Sequence, residues 1–231
     1  MADTQYSPPL NKRRAGVLLH ISSLPGANSV GNLGEDAYRF VDFLQAVGAS
    51  VWQTLPINMP HADNSPYQCL SAFAGNTDFI DLSALVADEL LSATDLQWRL
   101  SRPALLSKAY QAYACINHAG MQQAYTEFCQ QQAYWLADFS LFLALRQHFK
   151  QQAWHQWPAP YKNRDAATLK QARLDLTKEI AEIAFAQYLF FSQWQKLKSY
   201  ATSKNICLFG DIPIFVAFDS ADVWAKAHLF K

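Results

Sequence analysis

Two short apolar runs flank one amphipathic stretch near the start of the chain, and that arrangement leaves few folds open. GVLLHISSL, residues 16–24, stops at the turn signal Pro25-Gly26. SVWQTLPI, residues 50–57, closes around Pro56. Neither run alternates apolar with polar residues, so each reads as a strand buried on both faces. Between them lies GEDAYRFVDFLQAVGAS, after a Gly/Asn-rich loop. There Ala37, Phe40, Val41, Leu44 and Val47 fall on one face of a helix. Glu35 and Asp36 suit its first turn, where the helix dipole favours anions, and Gly48 suits its stop. Strand, helix and strand at this spacing predict a βαβ unit and therefore a parallel sheet.

The order then changes. Residues 82–175 read as helices and connections rich in Gln, Ala and aromatics, clearest at residues 136–150, LADFSLFLALRQHFK. Residues 177–205 predict one long amphipathic helix capped by Thr177, with Ile180, Ile183, Ala184, Tyr188, Phe191, Trp194 and Leu197 on its apolar side. NICLFGDIPIFVA follows as a third strand, interrupted at Gly210-Asp211. The chain thus divides into residues 1–81, two β/α units with a loop after the second strand; 82–176, a helical insertion; and 177–231, the long helix, the third strand and a short end. The fold class is α/β. Three parallel strands joined by helices match the N-terminal part of a (β/α)8 barrel, or an open α/β sheet. No strand is followed by GxGxxG and there is no GxxxxGK[ST], which disfavours nucleotide-binding folds.

Charge removes other classes. Lys plus Arg equals Asp plus Glu at 19 each, so no basic surplus points to nucleic acid or an anionic membrane. The most apolar run, residues 180–191, contains Glu182 and is too short to span a bilayer. The N-terminus, MADTQYSPPLNKRR, is polar and is no signal peptide. Cys69, Cys115, Cys129 and Cys207 show no CxxC spacing and no nearby metal-spaced His, which reads as reduced thiols in a cytoplasmic protein. No metal or cofactor site is indicated.

In a barrel, chemistry collects at the carboxyl ends of the strands. Here those ends carry Ser22-Ser23, the stretch from Gln53 to Tyr67, and Asp211 onward. NSPYQCLSAFAGN, residues 64–76, has no charged side chain but two rings. Its Tyr67 is either a loop aromatic tucked into the core or an exposed platform. Asp211 is an acid within an apolar strand, and a buried carboxylate needs partners. Asp219 and Asp222 read as caps of a following helix. His20 reads as a satisfied core residue inside the first strand. His148 and His155 belong to the insertion and face solvent or a neighbouring helix. Trp52 reads as core, and Gln53 as near the pocket. No GxSxG elbow is present.

GVLLHISSLPG, VWQTLPI, SPYQCLSAFAGN and GDIPIFVAFDSADVWA, taken in this order, resemble the 4-α-glucanotransferases (amylomaltases) of glycoside hydrolase family 77. ADFSLFLALRQHF followed by WHQWP is similar to that family's helical insertion. The resemblance implies a (β/α)8 barrel that transfers α-1,4-glucan segments to the 4-OH of an acceptor sugar with retention of configuration. Malto-oligosaccharides and glucose would be the substrates, and no cofactor is needed. Tyr67 would stack on the donor-side glucose, Ser65 would hydrogen-bond the sugar, and Asp211 would support sugar binding near the scissile bond.

Three departures accompany the resemblance. Family members are about twice as long. Their nucleophile and acid/base lie on later strands, expected beyond Lys231 in register, so no catalytic residue is assigned in this chain. NMPHADN lacks the Tyr and Gly that some relatives carry before the loop, and Thr77 stands where Pro is usual. The shorter length predicts an open sheet edge and an unmatched apolar inner face, so that the three-strand piece is unstable, aggregates or needs the missing half of the barrel. The alternatives are a non-catalytic glucan-binding remnant or a different barrel enzyme.

Overall fold

The computed structural model describes residues 13–26, 30–97, 100–115 and 119–230. Most of the polar N-terminal stretch, residues 27–29 of the Gly/Asn-rich loop, and Lys231 lie outside the described residues.

Strands β1 (Gly16–Leu18), β2 (Val51–Gln53) and β3 (Cys207–Phe209) form one parallel sheet in the order β1-β2-β3. Val17, Trp52 and Leu208 are in register, and so are Leu18, Gln53 and Phe209. Helix α1 (Glu35–Ala46) makes the crossover from β1 to β2. Its Ala37, Val41 and Leu44 are fully buried, and Phe40 meets Trp52 edge-on at 4.9 Å. The chain leaves α1 through Gly48 at φ +75°, a conformation glycine adopts without Cβ strain. Val47 lies beyond the last helical turn and is exposed.

All three strands are shorter than the sequence predicts. After Leu18 the chain coils into a 3-10 turn, Ile21–Ser23. After Gln53, Pro56 lacks the N–H a ladder needs, and beyond Phe209 Gly210 and Pro213 break the extended run. The sheet is also covered on one face only. Val17, Trp52 and Leu208 pack into the core, whereas Leu18 is 55% and Phe209 43% exposed on the opposite face. Side chains alternate along a strand, so Gln53 shares that open face with its register partners Leu18 and Phe209.

From β2 the chain passes through α2 (Leu82–Ala87), α3 (Ala93–Gln97), α4 (Arg102–Cys115), α5 (Ala119–Gln131), α6 (Ala133–His148), α7 (Ala159–Lys162) and α8 (Ala166–Asp175). Helix α9 (Thr177–Ser203) then leads to β3, and α10 (Ala221–Ala225) follows it. Thr177 does not cap α9. Leu176 alone separates α8 from α9, and the Thr177 hydroxyl donates back to the carbonyls of Arg173 and Leu174.

Helix α9 is the axis of the molecule. Its residues from Phe185 to Phe190 are all buried, which corrects the expectation of a single apolar side. Helices α1, α4 and α5 pack on it together with α6, so no face of its middle meets water. One apolar core gathers α1, β2, α4 and the inner residues of α9; the other gathers α6, Trp154, Trp157 and Trp224. Burying each large side chain contributes about 1.5–3 kcal/mol, which is why a chain with this many rings can support so long a central helix. Among the described residues, no helix is long and apolar enough to cross a membrane.

Candidate functional site

The loop after β2 is an ordered excursion. It leaves and returns antiparallel, with bridges between Asn58 and Gly75 and between Pro60 and Cys69. The Asn58 side chain donates to the Ala72 carbonyl at 2.9 Å and closes the neck. At the tip, Asn64 adopts φ +56°, which asparagine tolerates well, and Gln68 N–H bonds back to the Ser65 carbonyl. Asp63 accepts from Ser65 N–H at 3.2 Å. Tyr67 sits inside this turn and is 47% exposed, so it is not tucked into the core.

Two buried glutamines of α9 hold the base of the loop. Gln187, fully buried, accepts from Gly75 N–H at 2.8 Å and donates to the Gly75 carbonyl at 3.0 Å. Gln193 does the same for Asp81, at 2.7 and 3.0 Å. A buried primary amide is costly unless satisfied, and each of these satisfies a backbone donor and acceptor together. Gly75 permits the approach: a Cβ there would stand 2.0 Å from the Phe190 ring.

The loop tip meets the segment after β3. The Tyr67 phenol donates to Asp211 Oδ2 at 2.9 Å. Asp211 lies two residues past β3 and is half-buried, so it is not the acid inside a strand that the sequence predicts. Its carboxylate, as hydrogen-bond acceptor, raises the Tyr67 phenol above its ordinary range, with desolvation and the Asp211 charge adding to the effect. Ser65 stands in the same turn as Tyr67, half-buried. The structure therefore brings Tyr67 and Asp211 into contact, and Ser65 joins them through the turn.

Asp219 and Asp222 do not cap α10. Ser220 does, accepting from Val223 N–H at 3.3 Å. Asp222 instead accepts from Ala72 N–H at 2.9 Å, while Ala221 N–H donates to the Leu70 carbonyl, so α10 braces the loop. Asp219 pairs with Arg146 of α6 and accepts from Trp154 N–H. Both acids are held by tertiary partners that local sequence cannot reveal.

His20 lies just beyond β1 rather than within it. Its Nδ1 is 3.2 Å from Thr54 Oγ1 and its ring meets Phe79 edge-on. It lines a cleft of mixed polar and apolar character at the carboxyl ends of β1 and β2, with Ser22, Ser23, Asn58, Leu55, Pro56 and Asn76. His148 and His155 are exposed, and His155 lies against Phe218. His61 was missed by the sequence reading. It shares a cleft of about 410 Å³ with Tyr67, Gln68 and Phe215 to Asp219. Burial lowers its pKa from 6.5, with Asp219 and Asp63 opposing and Arg146 reinforcing. Gln187 and Gln193 were also missed; the signal for Gln187 was a Gln embedded in AFAQYLFF, a polar group that must find a partner.

Among the described residues, no three His, Cys, Asp or Glu side chains are grouped to hold a metal ion. The nucleophile and acid/base that the resemblance puts beyond Lys231 fall outside the described residues, which end at Phe230. The chemistry on offer is an uncharged aromatic face beside one carboxylate acceptor, suited to a neutral polyhydroxylated ligand.

The 4-alpha-glucanotransferase family model matches residues 19–231. The chain belongs to this family. A 4-alpha-glucanotransferase of Streptococcus pneumoniae (serotype 4) is 41% identical over 239 aligned residues, covering 96% of this chain and 46% of the relative. The 4-alpha-glucanotransferase of Synechocystis is 38% identical, with the same shares covered. The amylomaltase of Streptococcus agalactiae, solved in complex with acarbose, superposes with a TM-score of 0.90 at 36% identity, over 95% of this chain and 47% of that one. This chain therefore spans about half the length of the 4-alpha-glucanotransferases it matches. The amylomaltase of Corynebacterium glutamicum, 16% identical with a TM-score of 0.67, shares the fold.

Proposed function

We propose that this chain forms the donor-side wall of a 4-alpha-glucanotransferase site that takes malto-oligosaccharides, with glucose as product and acceptor. The observation that carries the reading is the Tyr67–Asp211 contact at the carboxyl side of a parallel sheet, in a chain of this family. A flat phenol face packs against the apolar face of a pyranose ring, and the Asp211 carboxylate accepts from its hydroxyls. Ser65 adds a polar guide from the same turn. Residues 64–76 of the loop carry no charged side chain, in keeping with a neutral ligand.

Retaining transfer of an α-1,4-glucan segment needs two carboxyl groups about 5–5.5 Å apart, one as nucleophile and one as acid/base. Asp211 is set beside a phenol, which suits sugar binding rather than either role. We place the acid pair on polypeptide equivalent to the other half of the relatives' length, as a continuation past Lys231 or as a second chain. The same reading closes the sheet into a (β/α)8 barrel. Its support is the open face of Leu18, Gln53 and Phe209, together with exposed Ile212, Ile214 and Phe215. Residues 82–176 serve as a helical insertion between residues 1–81 and 177–231. Four unpaired cysteines support a cytoplasmic location.

The test is turnover of maltotriose to glucose and longer oligomers, by this chain alone and mixed with the C-terminal half of the Streptococcus pneumoniae relative. No products alone and products from the mixture are expected. Products from the chain alone would refute the need for the second half. A folded, associated mixture that neither turns over maltotriose nor binds acarbose would refute the function.

A further inference from the structure

Asp211 sits on a segment with little to hold it. From Gly210 to Asp219 the chain forms no helix or strand. Its Ile212, Ile214, Phe215 and Phe218 are 78%, 87%, 85% and 61% exposed, so apart from Val216, packed against the α6 core, and the Phe218 ring 5.1 Å from Trp154, apolar burial does little to fix it. Polar ties act at its two ends. At one end, Tyr67 donates to Asp211. At the other, Asp219 receives the Arg146 guanidinium and Trp154 N–H, and Trp154 Nε1 donates to the Phe218 carbonyl at 2.8 Å. These far-end groups are well shielded: the Arg146 and Asp219 side chains are 12% and 19% exposed, and Trp154 is 7% exposed. A shielded ion pair whose remaining valences are filled by hydrogen bonds tolerates the loss of one partner poorly, because the survivor keeps an uncompensated charge. The tie is therefore a rigid one, and it belongs to α6 and the turn after it, not to the sheet.

We infer that Arg146 is a positioning residue, which through Asp219 fixes the segment that presents Asp211 to Tyr67. The helical insertion thereby sets the geometry of the sugar site from outside it. His61 packs against the same junction and shares the cleft with Tyr67, so the junction forms the wall behind the aromatic platform. The sugar-binding consequence rests on the proposed function; the mechanical part does not.

The experiment compares Arg146→Met, Arg146→Lys and Trp154→Phe in the full 231-residue chain without sugar. Tyrosines are labelled at ¹³Cζ, and the Tyr67 signal is identified by its loss in Tyr67→Phe. In Arg146→Met, the Tyr67 phenol is expected to titrate closer to ordinary tyrosine. Chymotryptic cleavage after Phe215 should quicken about tenfold, because cleavage of a locally opened segment tracks its population. Arg146→Lys keeps the charge and should restore both readouts most of the way, which general stabilisation by a bulky side chain would not do. Where Arg146→Met does not fold, Trp154→Phe serves, losing the indole donation to Phe218 and giving the same changes at smaller size. A folded variant with Tyr67 titration and cleavage both unchanged overturns the inference. Acarbose affinity within about twofold of wild type, despite a loosened segment, overturns the positioning role. If neither the wild type nor its mixture with the C-terminal half of the Streptococcus pneumoniae relative binds acarbose, the proposed function fails, while the sugar-free readouts still decide whether Arg146 fixes the segment.

Discussion

Tyr67 and Asp211 are 144 residues apart in sequence and are joined by a 2.9 Å hydrogen bond from phenol to carboxylate. One sits in a turn after the second strand, the other just beyond the third. Parallel strand order alone brings their supporting loops to the same edge of the sheet. The bond engages the phenol hydroxyl, and Tyr67 stays 47% exposed.

Tyr67→Ala removes both platform and donor, whereas Tyr67→Phe removes the donor alone. In a preparation competent for transfer, we expect Tyr67→Ala to lower kcat/KM for maltotriose by about 10–100-fold, equivalent to about 1.4–2.7 kcal/mol. Tyr67→Phe should lose less than about fivefold, since a ring face persists and the lost bond is partly solvated. Equal losses in the two variants would show that the hydroxyl, not the face, carries the role.

Gly75→Ala should destabilise the fold by about 1–3 kcal/mol, the range for overpacking a filled core. The new Cβ would stand 2.0 Å from the Phe190 ring, and the backbone there is pinned by Gln187. Urea denaturation reads the change as a lower midpoint at unchanged slope. A midpoint equal to wild type would mean that the loop base has room the structure does not show.

Gln187→Leu leaves the Gly75 N–H and carbonyl buried without partners. Each such group costs about 1–3 kcal/mol, so the same urea assay should show a loss of about 2–5 kcal/mol. Gln187→Met as a second apolar variant should match it, because shape is not the issue. A loss under about 0.5 kcal/mol in both would place water or another group on Gly75.

His20 and His61 both have pKa values lowered from 6.5, mainly by burial. For such a group the unfolded chain binds more protons than the native one over the window below 6.5. Stability is therefore full above that pH and falls as pH drops through the window towards the folded pKa. Urea midpoints taken between about pH 7.5 and 5.5 should decline, and His61→Asn should flatten the slope. A midpoint that rises on acidification would contradict the burial of both rings.

How much of this was legible in the sequence depends on whether the deciding interaction was local. The βαβ unit, α1 with its Gly48 stop, and the long α9 were readable because apolar period and turn residues are local signals. Strand ends were not, because the run stays apolar through Leu19 after the ladder stops. Tyr67, Ser65 and Asp211 were named through family resemblance, and the contact between two of them came from the fold. Asp219 and Asp222 illustrate the limit. Each has the position and chemistry of a helix cap, yet Arg146 and the Ala72 amide compete for them from 73 and 150 residues away. Thr177 shows the same limit on a smaller scale, since its hydroxyl turned back to α8.

The reading of Tyr67 as a sugar platform is tested most directly by ¹³Cζ-tyrosine NMR of the chain titrated with acarbose. Tyr67, assigned from Tyr67→Phe, should shift saturably. Tyr134, 59% exposed and set edge-on to Phe73 rather than beside Asp211, should stay in place. Movement of Tyr67 alone is the predicted result; a stationary Tyr67 under saturating acarbose, or equal movement of both rings, would contradict it.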